Sequence, residues 1–138
     1  MLSHRAQYAT RGFTLVEALI ALLVLSFGLL GVAAMQLKAM QGAHVSYQRS
    51  LATVIASDAN ERLWAALGIG SGTCPSDSSV QAQWLDHWDD ALPSVGASSI
   101  VAQASCEYTI TVTWDDERFS AEGDISTLTY VARLPGAP

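Results

Sequence analysis

The chain has 138 residues, 50% of them hydrophobic, and a formal net charge of −6 at pH 7. This length accommodates one anchoring helix and one small domain. Ten acidic residues lie from Cys74 onward, namely Asp77, Asp86, Asp89, Asp90, Glu107, Asp115, Asp116, Glu117, Glu122 and Asp124. They are opposed only by Arg118 and Arg133. Such an acidic surface repels phosphate backbones, so we expect no nucleic acid among the partners.

A basic leader, residues 1–12 with Arg5 and Arg11, precedes a motif that ends in a carboxylate. The motif reads Gly12-Phe13-Thr14-Leu15-Val16-Glu17, and about twenty residues without a charge follow it. An acidic residue at the centre of a bilayer costs roughly 2.5–3.5 kcal/mol on insertion scales. A carboxylate at the mouth of an apolar run of membrane length therefore indicates a function for Glu17.

The first predicted element is one long helix from Phe13 to roughly Leu67, without any proline. Its first part, residues 13–35, is apolar on all sides, as a membrane span must be. Ten strongly apolar residues contribute roughly −3 to −6 kcal/mol to insertion: Leu19, Ile20, Leu22, Leu23, Val24, Leu25, Phe27, Leu29, Leu30 and Val32. This gain outweighs one carboxylate near the edge, so we expect the helix to enter a membrane.

The second part of this helix, residues 36–67, is predicted to be amphipathic. Apolar residues at spacings of three and four draw two adjacent stripes. The first comprises Leu37, Met40, His44, Tyr47, Leu51 and Val54, and the second Ala52, Ile55, Ala56, Ala59, Leu63 and Ala66. We expect them to pack against a sheet on one side and neighbouring subunits on the other. The glycine-rich stretch 68–72 should end the helix.

Residues 68–138 are predicted to form a small α+β domain. Trp84, Leu85, Trp88 and Leu92 recur at helical spacing and predict a short helix from Val80 to Leu92, with the tryptophans in the core. Residues 106–114 alternate and are rich in Thr, Val, Ile and Tyr, which predicts a strand. A turn at residues 115–117, a strand from Leu128 to Leu134 and a short strand from Ile100 to Ala104 complete the prediction.

The motif from Gly12 to Glu17 resembles the processing site of type IV prepilins and pseudopilins. The resemblance implies that a membrane-embedded prepilin peptidase cuts between Gly12 and Phe13 and methylates the new amino group of Phe13. It also implies that Glu17 of an incoming subunit neutralises the amine of its neighbour in a filament. Glycine suits a protease subsite because it has no side chain to clash. Arg5 and Arg11 would keep the leader cytoplasmic by the positive-inside rule.

The continuation is similar to the minor pilins called PilV-type, or type IV pilus modification proteins. The similarity lies in the run 26–36 (SFGLLGVAAMQ), Cys74, Trp84, Leu92-Pro93 and the strand 108–115 (YTITVTWD). It implies a pilin-like fold, in which the long helix packs on a small antiparallel β-sheet domain. It also implies a subunit anchored in the inner membrane with a periplasmic domain, and partners comprising other minor pilins, the major pilin and the pilus assembly platform. The function implied is pilus assembly, with twitching motility and adhesion.

Cys74 and Cys106 are the only two cysteines, and both lie in the predicted exported domain. An even count in an oxidising compartment predicts one disulfide. The acidic residues around His87 do not bring three or four converging ligands together, so we expect no metal and no cofactor. Neither a nucleophile motif nor a phosphate loop occurs, which indicates that the chain is not an enzyme.

Two other functions remain open from the sequence. A minor pseudopilin of a type II secretion system would have the same helix but a different assembly. A secreted soluble protein with an ordinary signal peptide is also conceivable, because Gly31-Val32-Ala33 supplies a small-x-small cleavage site. Against the latter, the apolar run exceeds the usual hydrophobic region of roughly 7–15 residues, and it begins with a carboxylate.

Overall fold

The computed structural model describes residues 12–115 and 125–135. Its helices are α1 (Leu15–Ile69) and α2 (Asp77–Trp88), and its strands are β1 (Ser99–Ala102), β2 (Glu107–Asp115) and β3 (Ile125–Arg133). The strands form one three-stranded antiparallel sheet in the order β1-β2-β3. The predicted α+β class, a long helix with a small antiparallel sheet, is therefore confirmed. By contacts the chain divides into two units, one up to Met40 and one from Gln41 onward.

The first unit contains the apolar beginning of α1. The helix begins at Leu15 rather than at Phe13, and from there to Met40 nearly every side chain is exposed. The 18-residue window of highest hydropathy averages 2.6, and no part of it is buried within the protein. By length and composition, α1 can cross a membrane. The apolar start of the helix thus fits membrane anchoring.

In the second unit, α1 supplies one wall of the hydrophobic core. The residues it buries recur at helical spacing: Gln48, Ala52, Ile55, Ala56, Ala59, Leu63 and Leu67. This confirms the second predicted stripe, although Ala66 is only partly buried. The first stripe has a different fate, because Leu37, Met40, Tyr47 and Val54 are exposed and only Leu51 packs partly against the core.

The sheet supplies the opposite wall through its central strand. Side chains of β2 alternate between buried and half-buried positions, and Tyr108, Ile110, Val112 and Trp114 face the core. The three predicted strands are confirmed with shifted ends. β1 ends at Ala102 instead of Ala104, and β3 runs from Ile125 instead of Leu128. Of the predicted turn at residues 115–117, Asp115 is the last residue of β2, and residues 116 and 117 lie outside the described residues.

A tight turn at Ala104–Cys106 connects β1 to β2. Ser105 and Cys106 both have left-handed backbone angles, with φ of 60° and 54°. Residues other than Gly, Asn and Asp rarely adopt this backbone conformation. The turn is held because Gln103 N–H donates to the Glu107 carbonyl at 2.6 Å and Leu134 N–H to the Cys106 carbonyl at 3.1 Å.

Helix α2 packs on α1 through its two tryptophans. Trp84 is buried, as predicted, and its Nε1–H donates to the carbonyl oxygen of Ile55 at 3.0 Å. Trp88 is half-buried and donates to Asp58 Oδ2 at 2.8 Å. The helix ends at Trp88 rather than Leu92. Asp89 and Asp90 come next, and negative charge is unfavourable at a helix C-terminus.

The C-terminal end of α1 lies slightly beyond its predicted position at Leu67. The helix continues through Gly68 to Ile69 and closes with a bond from Gly70 N–H to the Ala66 carbonyl at 2.9 Å. Gly72 then adopts a φ of 89°, which glycine accommodates without steric cost. The glycine-rich stretch therefore turns the chain away from the helix axis toward α2.

A disulfide joins Cys74 to Cys106, whose Cα atoms lie 5.3 Å apart with a sequence separation of 32. It connects the segment after α1 to the turn before β2, so α2 and β1 lie inside the closed loop. In the chain-entropy description, closing a loop of this length stabilises the fold by about 3–4 kcal/mol. For a small domain this is a large fraction of the total stability.

We therefore expect the double variant Cys74→Ser/Cys106→Ser to lose about 3–4 kcal/mol of unfolding free energy. Urea unfolding of the full-length chain in detergent, followed by tryptophan fluorescence, measures this loss. The reduced wild-type protein is the matched control and should unfold at the same urea concentration as the variant. Equal stability of the oxidised and reduced wild-type proteins would contradict the prediction.

Asp58 forms a second polar contact between the two helices, because its Oδ2 accepts from Trp88 Nε1 of α2 as well as from Arg62 Nε of α1, at 2.6 Å. Partial burial raises the pKa of Asp58, but these two hydrogen bonds outweigh that effect, and the pKa lies below its usual range. A depressed folded-state pKa gives stability that is present above the unfolded pKa of about 3.9 and is lost as the pH falls through the folded value.

Asp58→Asn should accordingly destabilise the domain by roughly 1 kcal/mol at pH 7, because the amide keeps the shape of the side chain but loses the charge. The difference from wild type should begin to shrink as the pH falls below the unfolded pKa of about 3.9, and it should disappear below the lower folded pKa, where the folded carboxylate is neutral too. Thermal unfolding at pH 7 and pH 3 measures it. Glu61→Gln is the control, since Glu61 is exposed and forms no ion pair with a described residue. A pH-independent difference would refute the role of the charge.

Candidate functional site

The N-terminal end of α1 is capped by a hydrogen bond between two residues of the motif, Thr14 and Glu17. Thr14 Oγ1 accepts from the backbone N–H of Glu17 at 3.3 Å. Thr14 therefore acts as the N-cap, and Glu17 occupies the third helical position, in the order of a capping box. The T-x-x-E pattern is a helix-start signal in the sequence, and it places the start two residues after the predicted Phe13. It explains why the helix begins at Leu15.

The capping bond carries weight because of where it lies. The first N–H groups of a helix have no partner within the helix, and in an apolar medium water cannot replace that partner. The hydroxyl of Thr14 satisfies one of these groups. Glu17 adds a negative charge in the first turn, where the helix macrodipole is positive. Motif residues Thr14 and Glu17 thus stabilise the helix end that the apolar segment requires.

The proposed cleavage residues lie next to this cap. Gly12, Phe13, Thr14 and Glu17 line one open cleft. Phe13 is 78% exposed, and the backbone of Gly12 and Phe13 is outside any helix. A protease binds its substrate in extended form, so an exposed non-helical peptide is accessible to it. The carboxylate of Glu17 is also exposed and bonds to no described side chain. Arg5 and Arg11, the leader cations, lie outside the described residues.

The acidic cluster around His87 does not form a converging site. Asp86, His87, Asp89 and Asp90 are all exposed, and the His87 ring lies edge-on to Trp88 with the ring centroids 5.1 Å apart. Within residues 12–115 and 125–135, no group of three or more His, Cys, Asp or Glu side chains is placed to hold a metal ion. Asp86 and His87 lie in α2, Asp89 and Asp90 follow it, and all four are exposed to solvent.

The capping role of Thr14 predicts a local change in amide exchange. Thr14→Val keeps the shape of the side chain but removes the acceptor, which should cost about 1 kcal/mol of helix-end stability. The Glu17 amide should then exchange about five-fold faster in the full-length chain in micelles. Thr14→Ser retains the hydroxyl and serves as the control. Unchanged exchange in the valine variant would show that the hydroxyl does not cap the helix.

The same stretch of chain is matched by a known family. Residues 8–33 match the family described as the prokaryotic N-terminal methylation motif. No curated protein and no solved structure matches the chain. The match covers the end of the leader, the capped helix start and most of the apolar segment. It does not reach the second unit, from Gln41 onward. The motif indicates a type IV pilin- or pseudopilin-like protein, of the kind that prepilin peptidase processes.

Proposed function

We propose that the protein is a minor pilin of a type IV pilus, of the PilV type, and that it takes part in assembling or priming the filament. The observation that carries the proposal is the motif from Gly12 to Glu17 at the capped start of an exposed apolar helix. The PilV-type assignment is supported by the run 26–36, by Cys74 and Trp84, and by the strand 108–115. The role is structural, and the chain is not an enzyme.

Processing would leave Phe13 as the first residue of the mature chain. Prepilin peptidase would cut after Gly12 and methylate the new amine of Phe13, four residues before Glu17 in the sequence. An amine and a carboxylate are each costly alone in an apolar medium, and pairing removes much of that cost. Glu17 of an incoming subunit would pair with the amine of the subunit above it. This pairing would select the axial register of the subunits and favour extraction from the membrane.

The proposed location follows from the same features. The apolar segment 13–35 would hold the subunit in the inner membrane as a single-pass protein, with residues 36–67 continuing the helix into the periplasm. Residues 68–138 would form the periplasmic domain, where an oxidising environment sustains the Cys74–Cys106 disulfide. The partners would then be prepilin peptidase, the assembly platform, the major pilin and the other minor pilins.

Deleting the gene would separate this function from that of a type II pseudopilin. We expect twitching to be lost while protein secretion stays intact; the reverse would assign the chain to the secretion system. N-terminal sequencing of the membrane-bound protein separates both from a signal-peptide protein. Phe13 as the first residue supports the pilin processing, and Ala34 as the first residue overturns it.

Glu17→Val tests the charge pairing. We expect normal membrane insertion and leader cleavage but at least about ten-fold less protein in filaments, because an unpaired amine in an apolar medium costs several kcal/mol. Immunoblots of sheared filaments and membranes measure the ratio. Glu17→Gln is the matched variant that keeps length and polarity without charge, and it should fail as the valine variant does. A normal filament yield of both variants would refute the pairing.

Gly12→Val tests the processing site. A branched side chain at this position should block the peptidase, so the chain should keep residues 1–12 and run as a full-length species on a gel. Gly28→Val, which alters a glycine within the helix, is the control and should still be cut. A band of mature size for Gly12→Val would count against the peptidase assignment.

A further inference from the structure

The edge of the sheet formed by β1 is closed by side chains of α2. The N–H of Ile100 donates to Gln81 Oε1 at 2.7 Å, and the N–H of Ala102 donates to Asp77 Oδ2 at 3.1 Å. Both N–H groups bond to side chains of α2, so they point away from β2. Another strand that approached β1 would therefore find these two N–H groups already hydrogen-bonded.

Beyond the end of β1, the exposed part of β2 is closed as well. Thr113 N–H donates to Ser98 Oγ at 2.8 Å, and Asp115 N–H donates to the Pro93 carbonyl at 3.0 Å. The whole β1 side of the sheet therefore has its outward N–H groups satisfied by the loop and helix that precede it. Proteins commonly cover sheet edges in this way to prevent pairing with other chains.

The hydrogen-bond alternation identifies which groups of β3 point outward. In an antiparallel ladder, paired residues alternately exchange and do not exchange main-chain bonds. The bond from Leu134 to Cys106 extends the β2–β3 register, in which Tyr130 pairs with Ile110. Even-numbered residues of β3 therefore bond to β2. The N–H and C=O groups of Thr127, Thr129 and Val131 point away from the sheet.

Among the described residues, β3 carries one charge, at its last residue Arg133, and that guanidinium bonds to Glu107 of β2. From Ile125 to Ala132 the strand contains no charge, no proline and no glycine. Its nine residues pair with β2 without a break, so no bulge twists the edge away. Ile125, Tyr130 and Val131 are 62%, 44% and 48% exposed. No strand among residues 12–115 and 125–135 pairs with this edge.

We propose that the outer edge of β3 binds, by strand addition, an extended uncharged segment of another kind of subunit in the fibre. Outward N–H and C=O groups at strand spacing are complementary to an extended main chain and to little else. A second copy is disfavoured, because ten acidic residues against two arginines from Cys74 onward make two such domains repel each other. The inference rests on the proposed function for the identity of the neighbouring chain.

Two valines allow a matched test. Val131 on β3 and Val101 on β1 are 48% and 47% exposed and lie on the same face of the sheet, at opposite edges. The photoreactive residue p-benzoylphenylalanine is placed at either position of the full-length chain in cells that make the fibre. We expect an adduct at Val131 at least about five-fold more abundant than at Val101, and mass spectrometry should place it in an extended segment of a different subunit.

A second substitution separates main-chain from side-chain binding. Thr129→Pro removes an outward N–H but no bond to β2, and proline is tolerated at such edge positions. It should lower the Val131 adduct about five-fold, while Thr129→Ala should lower it less than two-fold. Formation of the Cys74–Cys106 disulfide on a non-reducing gel shows whether each variant folds. The comparison of Val131 with Val101 stands even if the proline variant does not fold.

Several outcomes overturn strand addition by another subunit. These are equal adducts at both valines, no adduct at Val131, an adduct in a helix, or an adduct between two copies of this chain. Failure of the proposed function gives a different result: the membrane-bound protein would then begin at a residue other than Phe13, or deletion of the gene would abolish secretion and leave twitching intact. A processed subunit that enters fibres without a selective Val131 adduct refutes only the strand addition.

Discussion

The structure depends on the unbroken main-chain hydrogen bonding of helix α1, which runs through an apolar exposed segment and continues into a folded core. Helix α1 must satisfy its N–H groups where water is scarce and must also supply one wall of a folded core. The side chains from Ala18 to Leu37 carry no charge, which suits the first environment, and Ala52, Ala56 and Ala59 are buried in the core. Without proline, this hydrogen bonding passes from one environment to the other unbroken.

The unit from Gln41 onward is small, and a few hydrogen bonds and one disulfide connect its elements. The buried indole of Trp84 binds a backbone carbonyl of α1, Asp58 joins α1 to α2, and the disulfide joins the segment before α2 to the β1–β2 turn. Tyr108 extends the same connection, since its hydroxyl donates to the Pro75 carbonyl at 2.7 Å. Burial, and then the nearby Asp77 carboxylate, raise the pKa of Tyr108, so the phenol remains a donor at neutral pH.

The sequence predicted the elements better than it predicted their ends. Periodicity identifies a buried face, so the stripe from Ala52 to Leu63 and the alternation of β2 were predictable from residue type. The contact of Trp88 with Asp58, thirty residues away along the chain, is one that no local pattern reveals. The left-handed turn at Ser105 and Cys106 carries no glycine or asparagine signal; the surrounding hydrogen bonds impose it.

The candidate site shows a similar division. The motif from Gly12 to Glu17 could be predicted because it is a continuous sequence pattern. The pairing of Cys74 with Cys106 could be predicted because the chain has only two cysteines. The capping role of Thr14 was readable but required the exact helix start. The roles of Gln81 and Asp77 could not be read, because a polar residue on a short helix shows no preference for the strand edge that it covers until both elements are placed.

The different treatment of the two sheet edges sets a limit on growth. A sheet with two open edges can recruit strands on both sides and extend indefinitely, as in fibrillar aggregates. A sheet with one open edge has a valency of one and is complete after a single addition. By occupying the donors of β1, Gln81 and Asp77 make this domain a terminating unit in any such stack.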